Sequence, residues 1–324
     1  MSLTSSLSPT PHQPLRIAQI SAVAEGIRAF ELVHPEGALL PAFTAGAHLQ
    51  LQVPNGLLRK YSISSDPGEL QHYVITVKRE AAGRGGSLSL CDDARVGQVL
   101  NCSVPTNAFA LLPARAGYLF IAGGIGITPI LSMIRSLGES PPVPWTLLYL
   151  TRSRPVTAYA EELTRPALAS RVRIHHDQGD PARALDLWPV LEIPGNAHVY
   201  CCGPRPLMES VRDMTGHWAP SQVHFESFVD GDVAQAQDDS FHVRLASSGQ
   251  VLAVPAGQSI LQVLRQAGHV VASSCESGTC GTCRTGLLAG QAEHRDMVLM
   301  PEEEDSQIMV CVSRSRGGEL LLDL

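Results

Sequence analysis

No apolar run in the 324 residues is long enough to cross a bilayer, which excludes a spanning helix. The opening stretch, MSLTSSLSPTPHQP, lacks the basic and apolar regions of a secretory signal. A short flexible lead in the reducing cytoplasm is expected instead. Basic charge is short as well: 24 Lys and Arg against 31 Asp and Glu give a net charge of −7. That balance argues against nucleic acid, which calls for a basic surface. Low-complexity tracts and internal repeats are absent. The 44% apolar and 17% charged content belongs to folded domains rather than disorder, and the length allows two or three of them.

The acidity is uneven. Residues 237–324 carry 11 acids and 6 bases, a net of −5, and the preceding 236 residues carry 20 and 18. An acidic C-terminal third suits a face that docks on a basic partner, although Glu302 to Asp305 also read as an ordinary solvated loop.

Three stretches separate on pattern. From about Leu15 to Pro113, strand-like runs (HLQLQV, RKYSIS, HYVITVK, VLNCSV) alternate with Gly and Pro turns. Such spacing predicts a small antiparallel β-barrel or sandwich over 1–113. From Tyr118 to about Val229, apolar runs (YLFIA, WTLLYL, VRIHH, AHVYCC) alternate with helical patterns (ITPILSMIRSLG, TAYAEELTR, RPLMESVRDM). That rhythm predicts an α/β domain with a parallel sheet over 114–229. A polar linker is expected at 230–239. Over 240–324 a hairpin (FHVRLAS, QVLAVPAG) and a helix (SILQVLRQAG) precede a cysteine-rich loop, giving an α+β domain.

Eight cysteines in a reducing compartment are not disulfide material. Four follow the spacing C-x4-C-x2-C, then 27 residues, then C: Cys275, Cys280, Cys283 and Cys311. This is the plant-type arrangement of 2Fe-2S ligands. The alternative, a structural zinc site, usually comes as two C-x2-C pairs, whereas here three ligands crowd the loop SSCESGTCGTC. Cys91 and Cys102 read as inert core residues.

Two glycine-rich turns are candidates for phosphate. In YLFIAGGIGITPILSMI, Gly123, Gly124 and Gly126 permit close backbone approach, Thr128 suits a helix N-cap and Pro129 the first helical position. The usual dinucleotide fingerprint is not met, since Pro129 replaces the last glycine. In the second turn, Arg84 precedes Gly85, Gly86 and Ser87; Ser87 can cap and Arg84 offers a fork for phosphate. Upstream, the strand Arg59-Lys60-Tyr61-Ser62 puts a guanidinium and an aromatic ring on one face.

The order of these motifs resembles the ferredoxin–NADP reductase superfamily, specifically its phthalate dioxygenase reductase branch. The resemblance runs from about Leu15 to the end and implies a β-grasp C-terminal domain. It implies that the R-x-Y-S strand, the backbone at Val77 and Lys78, and Arg84 to Ser87 hold FMN. It also implies that Gly123, Gly124, Gly126, Thr128 and Pro129, with Cys202-Gly203-Pro204, hold the nicotinamide nucleotide. Glu226-Ser227-Phe228 matches the end of the family's reductase domain, so Phe228 is expected to stack on the isoalloxazine, with Glu226 and Cys202 near the nicotinamide. After strand WTLLYL come Thr151, Arg152, Ser153 and Arg154, with no carboxylate for an NADH ribose. The branch uses NADH, and the local residues leave NADPH open.

The expected enzyme is an NADH-dependent reductase that passes electrons from NADH to FMN to the 2Fe-2S cluster, and then to a separate Rieske-type aromatic-ring dioxygenase or demethylase. No Rieske Cys/His pair or facial iron triad is evident in the chain, so oxygen activation belongs to the partner. Other readings are a reductase for a diiron hydroxylase or a cytochrome P450, and a non-catalytic redox sensor. A shuttle of this kind can work as a monomer.

Overall fold

The computed structural model describes residues 12–228 and 238–324. Residues 1–11 of the expected N-terminal lead and most of the expected linker therefore lie outside the described residues, whereas His12, Gln13 and Pro14, expected in that lead, belong to the first strand and pair with Ser103, Cys102 and Asn101. Two compact units are present: Met1–Pro204 with His217–Val223, and Arg205–Gly216 with His224–Leu324.

The first unit begins with β1 (His12–Ala24), β2 (Ile27–Val33), β3 (His48–Gln52), β4 (Leu58–Ser62), β5 (Tyr73–Lys78), α1 (Gly86–Asp93) and β6 (Val99–Ser103). The strands pair in the order β4-β3-β6-β1-β2-β5. An antiparallel bridge from Ile63 to Ile75 closes β4 onto β5, so the sheet is an antiparallel barrel without free edges. Buried residues such as Leu15, Ile17, Phe30, Leu49, Leu51 and Ile75 form its core.

There follow β7 (Tyr118–Gly123), α2 (Ile127–Leu137), β8 (Trp145–Thr151), α3 (Ala160–Leu163), β9 (Val172–His176), α4 (Trp188–Leu191) and β10 (His198–Cys202). The strands β10-β7-β8-β9 lie parallel in that order. β7 and β8 are near-continuous apolar runs because helices cover both faces of such sheets. The pattern TAYAEELTR yields only the four residues of α3. Tyr159 sits at φ 59°, a left-handed conformation that ends regular helix on its N-terminal side.

In the second unit come α5 (Arg205–Met214), β11 (Val223–Glu226, whose first residue belongs to the first unit), β12 (Phe241–Leu245), β13 (Val251–Val254), α6 (Ile260–Gln266), β14 (Arg284–Ala289), β15 (Ala292–Glu293), β16 (Gln307–Met309), β17 (Arg314–Ser315) and β18 (Glu319–Leu322). The sheet order is β13-β12-β18-β14-β16, with β12 and β18 parallel. With α6 packed on it, this is a β-grasp fold. Ser259 and Gln262 form a reciprocal capping box that fixes where α6 starts.

Asp238, expected in the linker, is anchored. Its carboxylate receives Arg295 at 2.9 Å and 3.0 Å and lies 3.3 Å from the guanidinium of Arg314. Arg314 is almost wholly enclosed, stacks over Phe241 at 4.9 Å and donates to the carbonyls of Gln258, Asp239 and Pro255.

Candidate functional site

The cysteine loop is held at both ends. Leu261 at the start of α6 donates to the Val310 carbonyl, beside Cys311. Arg265 in the last turn of α6 pairs with Glu276 at 2.9 Å and donates to Ser273. Glu276 follows Cys275 and holds a left-handed φ of 57°, which turns the chain back on itself. N–H groups of Ser277 and Thr279 donate to the Cys275 sulfur, each at 3.4 Å, and the Cys275 N–H reaches the Cys280 sulfur at 3.5 Å.

The thiols meet as two pairs. Cys280 donates to Cys275 and, aided by the Ser277 and Thr279 N–H groups against the cost of burial, draws Cys275 down to about 4, while Cys280 itself is pushed up. Cys311 likewise donates to Cys283, lowering Cys283 and raising Cys311. Among the described residues no three His, Cys, Asp or Glu side chains gather as a mononuclear metal site requires. Two thiol pairs ringed by N–H donors suit a dinuclear cluster, each pair serving one iron. Cys275 and Cys280 are partly exposed and Cys283 and Cys311 are buried.

The flavin candidates converge in the first unit. Arg59 leaves β4 toward the start of α1, where its guanidinium donates to the carbonyls of Leu58 (2.8 Å) and Arg84 (3.0 Å). Gly86 lets the Arg59 side chain lie close over the helix start: a methyl group there would stand 2.6 Å from it and would make it shift. Gly85 is the N-cap of α1 in a left-handed conformation. Ser87 is not the cap: it lies inside the helix, and its hydroxyl accepts the Glu80 N–H at 3.1 Å, closing the turn. Arg84 is exposed, Tyr61 packs against the barrel core, Lys60 is half-buried and Ser62 is buried. Val77 is buried and Lys78 points outward to Glu80 at 2.9 Å. A guanidinium lying across an eight-residue helix start fits a terminal phosphate.

The nucleotide candidates converge at the C-terminal ends of β7 and β10, where Ala122 faces Cys202. Gly123 ends β7, Gly124 and Gly126 form one turn of 3₁₀-helix, and α2 starts at Ile127 with Gly126 as its cap. The helix therefore starts before Thr128 and Pro129, which occupy its first turn. Thr128 donates its hydroxyl back to Ile125 at 3.1 Å instead of capping, and the missing N–H of Pro129 is harmless there. Gly126 lies against Cys202 and Gly203. The Cys202 side chain is fully buried, so the strand end offers its backbone rather than a thiol; Gly203 and Pro204 follow it outward. Cys91, Cys102 and Cys201 are also buried, and burial raises their thiols, Cys102 to about 12.

α2 also meets the barrel within this unit. Ser132 donates to the Ser65 carbonyl at 2.9 Å, and Arg135 donates to the Ser64 carbonyl at 2.7 Å while gripping Glu162. Thus the helix behind the nucleotide turn is fastened just beyond the Arg59–Ser62 strand. Glu226 ends β11 in the second unit, and Phe228 lies two residues beyond with 40% of its surface exposed.

One carboxylate escaped the sequence reading. β9 runs parallel to β8, which brings Asp177 beside Thr151: its N–H donates to the Thr151 carbonyl at 3.2 Å, and Gln178 donates to Arg152 at 2.8 Å. The Asp177 side chain accepts the Gly179 N–H at 2.7 Å. An acid thus stands at the edge where the run Thr151–Arg154 had offered no carboxylate; the adjacency of the two strands, not any spacing, places it there.

Comparison with known proteins agrees with this layout. The 2Fe-2S iron-sulfur cluster binding domain matches residues 243–316, and the oxidoreductase NAD-binding domain matches residues 120–213. The phthalate 4,5-dioxygenase oxygenase reductase subunit of Pseudomonas putida is 53% identical over 96% of both chains. A solved phthalate dioxygenase reductase, described as a modular structure for electron transfer from pyridine nucleotides to [2Fe-2S], is 49% identical over 97% of this chain and 98% of its own, with a TM-score of 0.71. An intact type IV self-sufficient cytochrome P450 monooxygenase matches 97% of this chain at 31% identity and a TM-score of 0.71, over 41% of its own length. Near-complete coverage in both directions at half identity leaves one assignment: the chain belongs to the phthalate dioxygenase reductase family.

Proposed function

We propose that this chain is the NADH-dependent FMN and 2Fe-2S reductase of a separate Rieske-type aromatic-ring oxygenase or demethylase, working in the cytoplasm as a monomer. The observation that carries the reading is the succession, in one chain, of a phosphate-ready barrel turn, a nucleotide turn and two thiol pairs. Residues 1–113 would serve the flavin, 114–229 the nucleotide and 240–324 the cluster. When bound, flavin and cluster together convert a two-electron hydride donor into single electrons. Arg59 and the turn Arg84–Ser87 hold the flavin phosphate, and the backbone of Tyr61, Ser62, Val77 and Lys78 lines its ring. Gly123, Gly124 and Gly126, with Gly203 and Pro204, cradle the pyrophosphate. Phe228 and Glu226 cover and orient the reacting rings, and Cys202 contributes the strand end on which Gly126 rests. Cys275, Cys280, Cys283 and Cys311 hold the cluster, the partly exposed first two facing the acceptor.

The test is direct. Purified protein should show flavin bands over an iron–sulfur envelope, release FMN on denaturation, and reduce cytochrome c rapidly with NADH. Absence of reduction by either NADH or NADPH overturns the reading. A P450 acceptor is the second reading, favoured by the matching module of the self-sufficient monooxygenase. Electron delivery to a Rieske-type oxygenase and to a P450, measured side by side, separates the two. The acidic C-terminal third implies that delivery to either acceptor slows as salt rises.

A further inference from the structure

Behind the cysteine loop lies a buried acid–base pair that the electron path does not use. Asp296 is enclosed, and its carboxylate accepts the N–H groups of Val298 (3.0 Å) and Leu299 (2.8 Å) and the Ser313 hydroxyl (3.5 Å). His294 is nine-tenths buried, with Nδ1 at 3.9 Å from Asp296 Oδ1; among the described residues this Nδ1 has no hydrogen-bond partner. The pair abuts the ligand loop. A methyl group on Gly278 would stand 3.1 Å from the Asp296 Cα, and Met297 donates to the Gly278 carbonyl at 2.8 Å. Gly278 in turn donates its N–H to Cys311. One residue therefore separates Asp296 from a ligand sulfur, and Ser313, two beyond Cys311, touches Asp296 from the other side.

The charges around His294 are few. Glu304 offers it a backbone carbonyl and a nearby carboxylate. Glu303 is spent on Arg284 at 2.8 Å, and Arg295 turns away to Asp238 and Glu293. Arg212 of α5 donates to the Asp296 main-chain carbonyl at 3.3 Å, not to its carboxylate, and pairs with Asp213 at 3.4 Å. The Asp296 carboxylate therefore leads the groups that favour the imidazolium, and it holds His294 above its ordinary value against the opposing effect of burial.

We propose that His294 is a redox-linked proton site: it takes one proton from solvent as one electron, supplied by NADH through the chain, reduces the iron of the cluster that Cys275, Cys280, Cys283 and Cys311 would hold, with Asp296 as the positioning residue between His294 and that cluster. Added negative charge behind Gly278 favours the imidazolium, so His294 binds its proton more tightly in the reduced protein than in the oxidised one. Below both values it is protonated throughout, and above both it is neutral throughout. Between them each electron carries a proton with it.

The inference rests on the cluster reading above, and the experiment separates the two. The midpoint potential of the cluster in the holoprotein is measured by redox titration with electron paramagnetic resonance from pH 5.5 to 9.5. Wild type is expected to show a sloping segment, in which the reduced-to-oxidised ratio at fixed ambient potential falls by at most about tenfold per pH unit, the limit for one proton per electron. H294Q, neutral at every pH, is expected to be flat at the wild-type high-pH level, and H294N serves if H294Q does not hold its cluster. A flat wild-type profile, or a slope that survives in either variant, overturns the proposal. A protein without any cluster signal overturns the cluster reading itself.

Discussion

The Cα of Gly126 rests on the end of β10: a methyl group built there would stand 2.1 Å from the Cys202 carbonyl oxygen and 2.9 Å from the Gly203 nitrogen. Both neighbours are backbone and cannot swing aside. Gly126→Ala should therefore push the nucleotide turn off the strand end. A displacement of about 1 Å in a positioning element can cost roughly 100-fold, so NADH-driven cytochrome c reduction should fall by that order. Calorimetry with ADP-ribose should show weakened binding, while flavin content stays unchanged. Unaltered binding would mean that the pyrophosphate lies elsewhere.

Arg59 ties its own strand to the flavin turn through the Leu58 and Arg84 carbonyls and, with a phosphate present, becomes its counter-charge. Charged hydrogen bonds of this kind contribute about 1.5–3 kcal/mol, so Arg59→Ala should weaken FMN binding roughly ten- to hundredfold. Fluorescence of flavin released on dilution measures it. Arg59→Lys should recover only part, because an ammonium lacks the planar fork.

Asp177 supplies the acid missing from the run after β8. Its carboxylate is suited to a ribose hydroxyl and repels a 2′-phosphate, while Arg152 beside it would welcome one. Asp177→Ser should raise the preference for NADPH over NADH by about tenfold, the equivalent of roughly 1.4 kcal/mol. The ratio of kcat/KM for the two nucleotides is the readout, and an unchanged ratio removes Asp177 from nucleotide selection.

His294 also makes a prediction about stability. Its folded value is raised, chiefly by Asp296. The contribution is therefore fully present below the ordinary histidine value of about 6.5 and is lost as pH rises through the higher folded value. Chemical denaturation at pH 6 and pH 9 should show wild type losing more stability than H294Q across that interval. Equal losses would remove the charge pairing.

Much of this was legible in the residues. The barrel strands, the parallel runs and the cysteine spacing depend on local pattern, and each falls where the alternation or spacing put it. What was missed depends on neighbours distant in sequence. Thr128 and Pro129 satisfy the rules for a helix start, yet the glycine turn enters the helix on its own and leaves Thr128 to donate backward. Ser87 has the chemistry of a cap, but the Glu80 N–H claims it first. Asp177 has no signature until β9 is known to lie beside β8. Asp238 looks like linker because its partners Arg295 and Arg314 come 57 and 76 residues later.

That last pairing bears on how the C-terminal module could be moved between proteins. A graft cut at Phe241, where the first strand begins, would leave Arg314 enclosed with its counter-ion gone. Removing one member of such a buried pair costs about 3–5 kcal/mol, a large share of what a module of this size has to spare. A transplant that retains Asp238 should melt as the parent does, and one that starts at Phe241 should fail at lower temperature. The portable part thus begins before its sheet.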